Sequence, residues 1–338
     1  MAKLVRKLTK SNEFYLLLVI IAVSIVIQLR SGQFFSANNL VDLANAMVVP
    51  GIFAVGAFMV LVAGGIDVSF PALASLSVYA TTRVLVDAGY SGGVWLPFLL
   101  VIVVGAILGA FNGLFTSRFV VPVLIITLGT ASVFSGVMQG VFKSVQIPNL
   151  PQGMSDFGRS TLFVATNPES GLTSNMPMAF LILVAVVAVA FVVMRYTTFG
   201  RGLYAIGGDE SAAARAGFKV RKIKFWLFVI VGIIASLAGL VRTSMMDQMH
   251  PTNLLGMELM VIAAVVLGGA SITGGTGTLT GTMLGTLLIV IVQNSMILVG
   301  IPTFWQGFAL GTLILVGTGI SAVQLTRSRK RAPALVQG

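Results

Sequence analysis

The sequence predicts an all-α polytopic membrane protein of about ten transmembrane helices, and three observations predict it. Charge is scarce: only 9% of the 338 residues are charged and 57% are hydrophobic, whereas a wetted soluble domain carries about 25% charged residues. Apolar runs of spanning length recur from end to end, which gives a mean hydropathy of +1.00. A crossing helix needs about 20 such residues, because about 30 Å of hydrocarbon must be bridged. Basic residues, finally, fall mostly into alternate connections between the runs, as the positive-inside rule requires.

The predicted crossings are 13–30, 40–63, 71–87, 94–117, 121–142, 177–195, 223–245, 257–268, 278–299 and 303–323. The first has a basic leader but near-spanning length and no A-x-A cleavage site, so it reads as an uncleaved helix. The second holds Asp42, Asn45 and Pro50, which predicts a kinked or partly amphipathic helix. The third carries Arg83 and Asp87 near its end, and the eighth is short enough for a half-helix. With 38 glycines, the helices can approach closely. With no cysteine, disulfides and thiol chemistry are excluded.

Orientation follows from Lys and Arg. A cytoplasmic N-terminus puts Lys3, Arg6, Lys7, Lys10, Arg118, Arg195, Arg201, Arg215, Lys219, Arg221, Lys222, Lys224, Arg327, Arg329, Lys330 and Arg331 on the inner side. Only Arg30, Arg83, Lys143, Arg159 and Arg242 fall outside. Both termini are then cytoplasmic. The net charge of +11 is therefore topological, and no nucleic-acid partner is needed to explain it. The chain reads as one transmembrane domain over 1–338. Its longest external connection, 143–176, is rich in Pro, Ser, Asn and Gly and carries Asp156 and Glu169, which suits a periplasmic loop facing a partner. Its longest internal connection is 196–222.

A weak internal repeat runs through the chain. Gly105-Ala-Ile-Leu-Gly109 resembles Gly281-Thr-Met-Leu-Gly285; each is followed by a Pro-containing connection and then by Leu-Gly-Thr at 128–130 and 310–312. These segments are the fourth and fifth crossings against the ninth and tenth. Five crossings apart, they point in opposite directions, so the repeat is inverted, a transporter arrangement. Glycines four apart share a helix face. Gly105/Gly109, Gly136/Gly140, Gly281/Gly285 and Gly307/Gly311 therefore read as packing seams.

Several chemistries are excluded. No Gly-Lys dipeptide exists, so the chain has no P-loop of its own. The stretch Gly268–Gly277 lacks the dinucleotide spacing and follows a membrane run. One histidine, His250, and no cysteine argue against zinc. No nucleophile–base set suggests an enzyme. Asp67, Asp87, Arg118, Arg242 and Glu258 all fall near segment ends, and none is clearly at midplane. That argues against ion-coupled transport and places the energy source outside the chain.

In the internal connection, Tyr204-Ala-Ile-Gly207-Gly208-Asp209-Glu210 runs through Ala213 and Arg215 to Gly217 and reads as a compact capped helix. Asp209 is a natural N-cap, Glu210 suits the positive helix start, and Gly217 is a natural stop. Such a helix, closed at both ends, suits docking; an amphipathic linker on the lipid surface is the plainer reading.

Four stretches resemble the bacterial ABC sugar-importer permeases of the ribose, xylose, galactose, rhamnose and autoinducer-2 group. They are Val60–Ser69 with Gly64-Gly65-Ile66-Asp67, Val121–Thr130, Phe199–Gly208 running into Ala212–Arg215, and Ala263–Ser271 with Gly274–Gly277. One departure is Phe70-Pro71 directly after Ser69. The resemblance implies about ten helices per subunit, and a second permease, identical or paralogous. It also implies a cytoplasmic ABC ATPase that binds ATP and Mg, and a periplasmic sugar-binding protein. No cofactor or metal is expected in the chain itself. Residues 204–217 would be the coupling helix seated on the ATPase.

The polar candidates for lining the pore are Asn45, Asn112, Thr127, Gln139, Gln293, Asn294 and Gln306, with Trp305 near an interface. For each, an interhelical hydrogen bond is an equally good reading. The same architecture for a nucleoside or a branched-chain amino acid is the alternative, with a stand-alone secondary carrier a more distant one.

Overall fold

The computed structural model describes residues 12–168, 171–313, 315 and 319. These are mostly helical. The long elements are α1 (Asn12–Ser31), α2 (Ala37–Val62), α3 (Phe70–Asp87), α4 (Trp95–Arg118) and α5 (Val123–Gly140). After a short α6 (Gln152–Arg159) and an antiparallel hairpin of β1 (Thr161–Thr166) and β2 (Thr173–Pro177) come α7 (Ala179–Tyr196), α8 (Thr198–Gly208) and α9 (Glu210–Arg215). The chain continues through α10 (Val220–Met246), α11 (Met257–Leu267) and α12 (Leu279–Leu298) to a 3-10 turn, Thr303–Trp305, and helical residues 306–313.

Two helices form the centre. In α2 every residue from Gly51 to Val62 is buried, the pattern of a helix that is apolar all round and packed on all sides. The second is α10, against which α4 lies antiparallel. Its glycine seam is real: a Cβ on Gly105, Gly109 or Gly113 would run into Gly232, Phe228 or Phe225 of α10. By contrast α1 buries only the stripe Leu16, Ile20, Ser24 and Ile27, and α7 is largely exposed, as suits lipid-facing helices at the rim.

Among the described residues seven helices are long and apolar enough to cross a membrane: α1, α2, α4, α5, α7, α10 and α12. The expectation of ten is therefore met only in part. The third predicted crossing is α3, 18 residues long and too rich in Ser, Thr and charge to count as apolar; most of it is buried, so it needs no lipid-compatible surface. The eighth is α11, only 11 residues long. The tenth runs from the 306–313 segment into residues outside the described ones. Pro50 sits inside a continuous α2, and Pro71 occupies the first turn of α3, where its missing N–H removes no helical bond. The Phe70-Pro71 departure is thus a helix start, with Phe70 buried against Phe53 at 5.0 Å between ring centres.

The glycine rows differ. Gly281 and Gly285 of α12 press on Ala264 of α11 and on Gly268 just beyond its end, not on a counterpart of α10. A Cβ on Gly136, Gly140, Gly307 or Gly311 would meet nothing within 4 Å, so the seams expected there do not form among the described residues. The spacing is the same in all four pairs; what differs is which helix face is turned inward.

The connections gather at two ends. At one, the 141–178 segment meets the 247–256 loop through a two-hydrogen-bond bridge between Ile147 and Met249, and through the Arg159–Asp247 ion pair. Hydrogen bonds from Ser155 and Arg159 hold the Asp247 carboxyl below the usual range. The hairpin leans on α2 through Ala165, Met176 and Val41. At the opposite end lie the α2–α3 turn, the α8–α9 pair and the loop 268–278.

Candidate functional site

Three Gly-Gly pairs, far apart in sequence, meet at this second end. Gly64 and Gly65 follow α2, Gly207 and Gly208 close α8, and Gly274 and Gly275 lie in the loop between α11 and α12. The Gly275 N–H donates to the Val62 carbonyl at 2.9 Å. A Cβ on Gly207 would collide with that same carbonyl oxygen, and one on Gly274 would stand 2.6 Å from Gly64 Cα. Gly64, Gly274 and Gly275 also have φ of +81°, +88° and +76°, the left-handed region that glycine alone enters without strain. The Tyr204 hydroxyl adds a bond to the Gly277 carbonyl at 3.1 Å, and its partial burial pushes the phenol pKa up.

From this junction the chain turns outward. The expected single helix over 204–217 is two: Tyr204, Gly207 and Gly208 belong to α8, and Asp209, in extended conformation, breaks the chain before α9. Asp209 Oδ1 accepts from the Ala212 N–H at 2.9 Å and from the Ser211 hydroxyl at 2.7 Å. These two bonds hold its carboxyl below the ordinary range. Gly217, at φ +89°, ends the unit. Of α9 only Ala213 is buried; Glu210 and Arg215 are exposed. Glu210 is tied to Lys224 of α10 at 2.6 Å. The result is a short helix held at arm's length, fixed to α10 on one side and through α8 to α2 and the 268–278 loop.

Beside the junction, the Asp67 turn is braced from within. Ser69 donates from its N–H and its hydroxyl to Asp67 Oδ1, both at 2.7 Å, and Asn112 Nδ2 donates to Ser69 Oγ at 2.7 Å. The Thr127 hydroxyl lies 3.2 Å from the Ile66 carbonyl and accepts from the Val68 N–H at 3.3 Å. Asn112 and Thr127 are thus buried and bonded to this turn.

At the opposite end the structure opens a cavity of about 690 Å³ between the first half of α2 and the ends of α10 and α12, closed by the start of α11. It brings together three of the expected pore residues: Asn45, Gln293 and Asn294. It also brings in Asp42, which the sequence places in a kinked or partly amphipathic helix, and Arg242, which it places near a segment end. Their signal was present but divided, one unpaired ionisable residue in each of two distant apolar runs. The other candidates lie elsewhere: Gln139 is exposed on α5, Trp305 is half exposed beside Phe308, and Gln306 donates to the Gln293 carbonyl at 3.1 Å. No group of three or more His, Cys, Asp or Glu suited to a metal occurs among the described residues.

Residues 39–317 match the family described as the permease component of the branched-chain amino acid transport system. The chain belongs to this permease family. The match includes all three glycine pairs and every cavity residue named above. Among curated proteins it is 31% identical to the ribose import permease protein of Haemophilus influenzae, over 92% of each chain. It is 32% identical to that of Bacillus subtilis, over 86% of this chain and 87% of the relative. It is 30% identical to the autoinducer 2 import system permease protein of Yersinia enterocolitica, over 88% of this chain and 79% of the relative. No solved structure matches.

Proposed function

We propose that this permease is the membrane subunit of an ATP-driven ABC importer for a sugar or sugar-like solute in the bacterial inner membrane. Its relatives' names supply the solute class. The observation that carries the mechanism is the α8–α9 unit, an exposed capped helix whose root is locked by backbone contacts to both halves of the chain. A cytoplasmic ATPase gripping α9 would displace Gly207, and with it Val62 at the end of α2 and the loop leading into α12. ATP and Mg would sit in that partner, and a periplasmic binding protein would deliver solute to the 141–178 and 247–256 end.

Ten crossings, both termini cytoplasmic, complete the reading. Its support is that α3 and α11 each join loops at opposite ends of the bundle despite their length or polarity. An inverted repeat is supported by packing: α4 lies on α10, and its proposed counterpart α12 lies on α2. The glycine faces of α5 and 307–311, bare among the described residues, suit a second permease subunit. The family description keeps one alternative alive, a branched-chain amino acid as solute.

The test is co-purification of the detergent-solubilised chain with its ATPase, wild type against Ala213→Pro. Proline removes the bond from the Ala213 N–H to the Asp209 carbonyl and disrupts α9 without touching a long helix. Loss of the ATPase from the variant alone is expected. Equal recovery with both would remove the docking role.

A further inference from the structure

The polar cavity at the α2–α10–α12 end holds charges that the protein leaves unsatisfied. Arg242 makes no ion pair or hydrogen bond among the described residues, and its Nε is buried without a partner. Asp42 also lines the wall and forms no ion pair there, and the buried Asn253 Oδ1 lacks a donor. A guanidinium within an apolar helix is costly and persists where it faces water or a ligand. Buried polar atoms are ordinarily hydrogen-bonded; Arg242 Nε and Asn253 Oδ1 are exceptions behind the wall, while Asp42, Asn45, Arg242, Gln293 and Asn294 line the open space itself.

We propose that this cavity is a solute subsite inside a single protomer, binding a neutral polyhydroxylated molecule of monosaccharide size. The proposal rests on the importer reading and names where in the chain the solute is met. Its chemistry follows from the walls. Arg242 offers only donors and Asp42 only acceptors, while Asn45, Gln293 and Asn294 offer both. One cation and one anion sum to no charge, which disfavours a simple anion or cation. A sugar hydroxyl both donates and accepts, so adjacent hydroxyls can satisfy the two charged groups and an amide together. The volume of about 690 Å³ lies within the range of small-molecule sites, about 300–1,000 Å³. Met245, Met257 and Met260 supply a soft apolar wall for the C–H faces of a ring.

Saturation-transfer NMR on the full-length chain with its ATPase, without nucleotide, reads weak binding directly. The probes are D-ribose, D-galactose and L-leucine. At least one sugar is expected to receive saturation from the wild type, with binding about tenfold weaker in Arg242→Gln and in Asp42→Asn, since each deletes a charged hydrogen bond. Asn45→Ala, which touches no other described side chain through a hydrogen bond, serves as a milder variant should either fail to fold. No saturation of either sugar, sugar signals unchanged in all three variants, or transfer to leucine alone would overturn the proposal. Uptake by the reconstituted importer is scored separately. If wild type takes up no sugar, the importer reading fails, while the binding signal still decides the subsite.

Discussion

The two ends of the bundle are built from opposite materials. At the α8–α9 end, glycines remove side chains so that backbone meets backbone, and the side chains around them are bonded within the chain. At the cavity end, long polar side chains project into open space and few of them bond within the chain. The first arrangement fixes positions and transmits displacement. The second has donors and acceptors to spare and fixes nothing by itself. The difference teaches where to look for force and where to look for solute.

Substitutions should separate the ends sharply. The largest effect is expected from Gly207→Val, which forces a branched side chain into the Val62 carbonyl and the Gly275 amide. Overpacking of this kind costs about 1–3 kcal/mol, and here it also pries α8 from α2. Solute uptake by the reconstituted importer should be lost although the chain inserts normally; retained uptake would mean that the glycine contact is incidental. Next comes Asn112→Ala, which takes the donor from Ser69 in a fully buried network. A loss of about 1–3 kcal/mol is expected, read as a lowered midpoint of thermal unfolding in detergent. The smallest effect on stability belongs to the cavity: Asn45→Ala should change the unfolding midpoint by no more than about 0.5 kcal/mol, as at an unpartnered surface position. A drop as large as that of Asn112→Ala would show the cavity residue to be a structural strut and erase the contrast.

Local signals were legible in the sequence. The Asp209 cap, the Gly217 stop and the long apolar helices follow from residues within a few positions of each other, and the structure shows each of them. Partner choice was not legible. Gly105/Gly109 and Gly136/Gly140 look alike as strings, yet among the described residues only the first pair faces another helix, because seam formation depends on how α4 and α5 are rotated in the bundle. Asn112 and Thr127 have the polarity expected of a pore, and each also bonds to the nearby Asp67 turn. Asp42 and Arg242 are 200 positions apart, and nothing short of the fold brings them to one wall. The helix count is met in part: α3 and α11 lie where the third and eighth crossings were expected, but α3 is too polar and α11 too short to count as spanning by apolar length alone.

The junction of Gly64, Gly207 and Gly275 also bears on speed. Contacts between ordinary side chains must select rotamers each time they form, and each selection carries an entropic penalty and a search. A backbone-to-backbone contact has no rotamers to select. Its making and breaking depends on a few torsions that glycine leaves free. The joint is therefore suited to many rapid, nearly reversible cycles, and its working rate should depend little on freezing local side-chain motion as temperature falls.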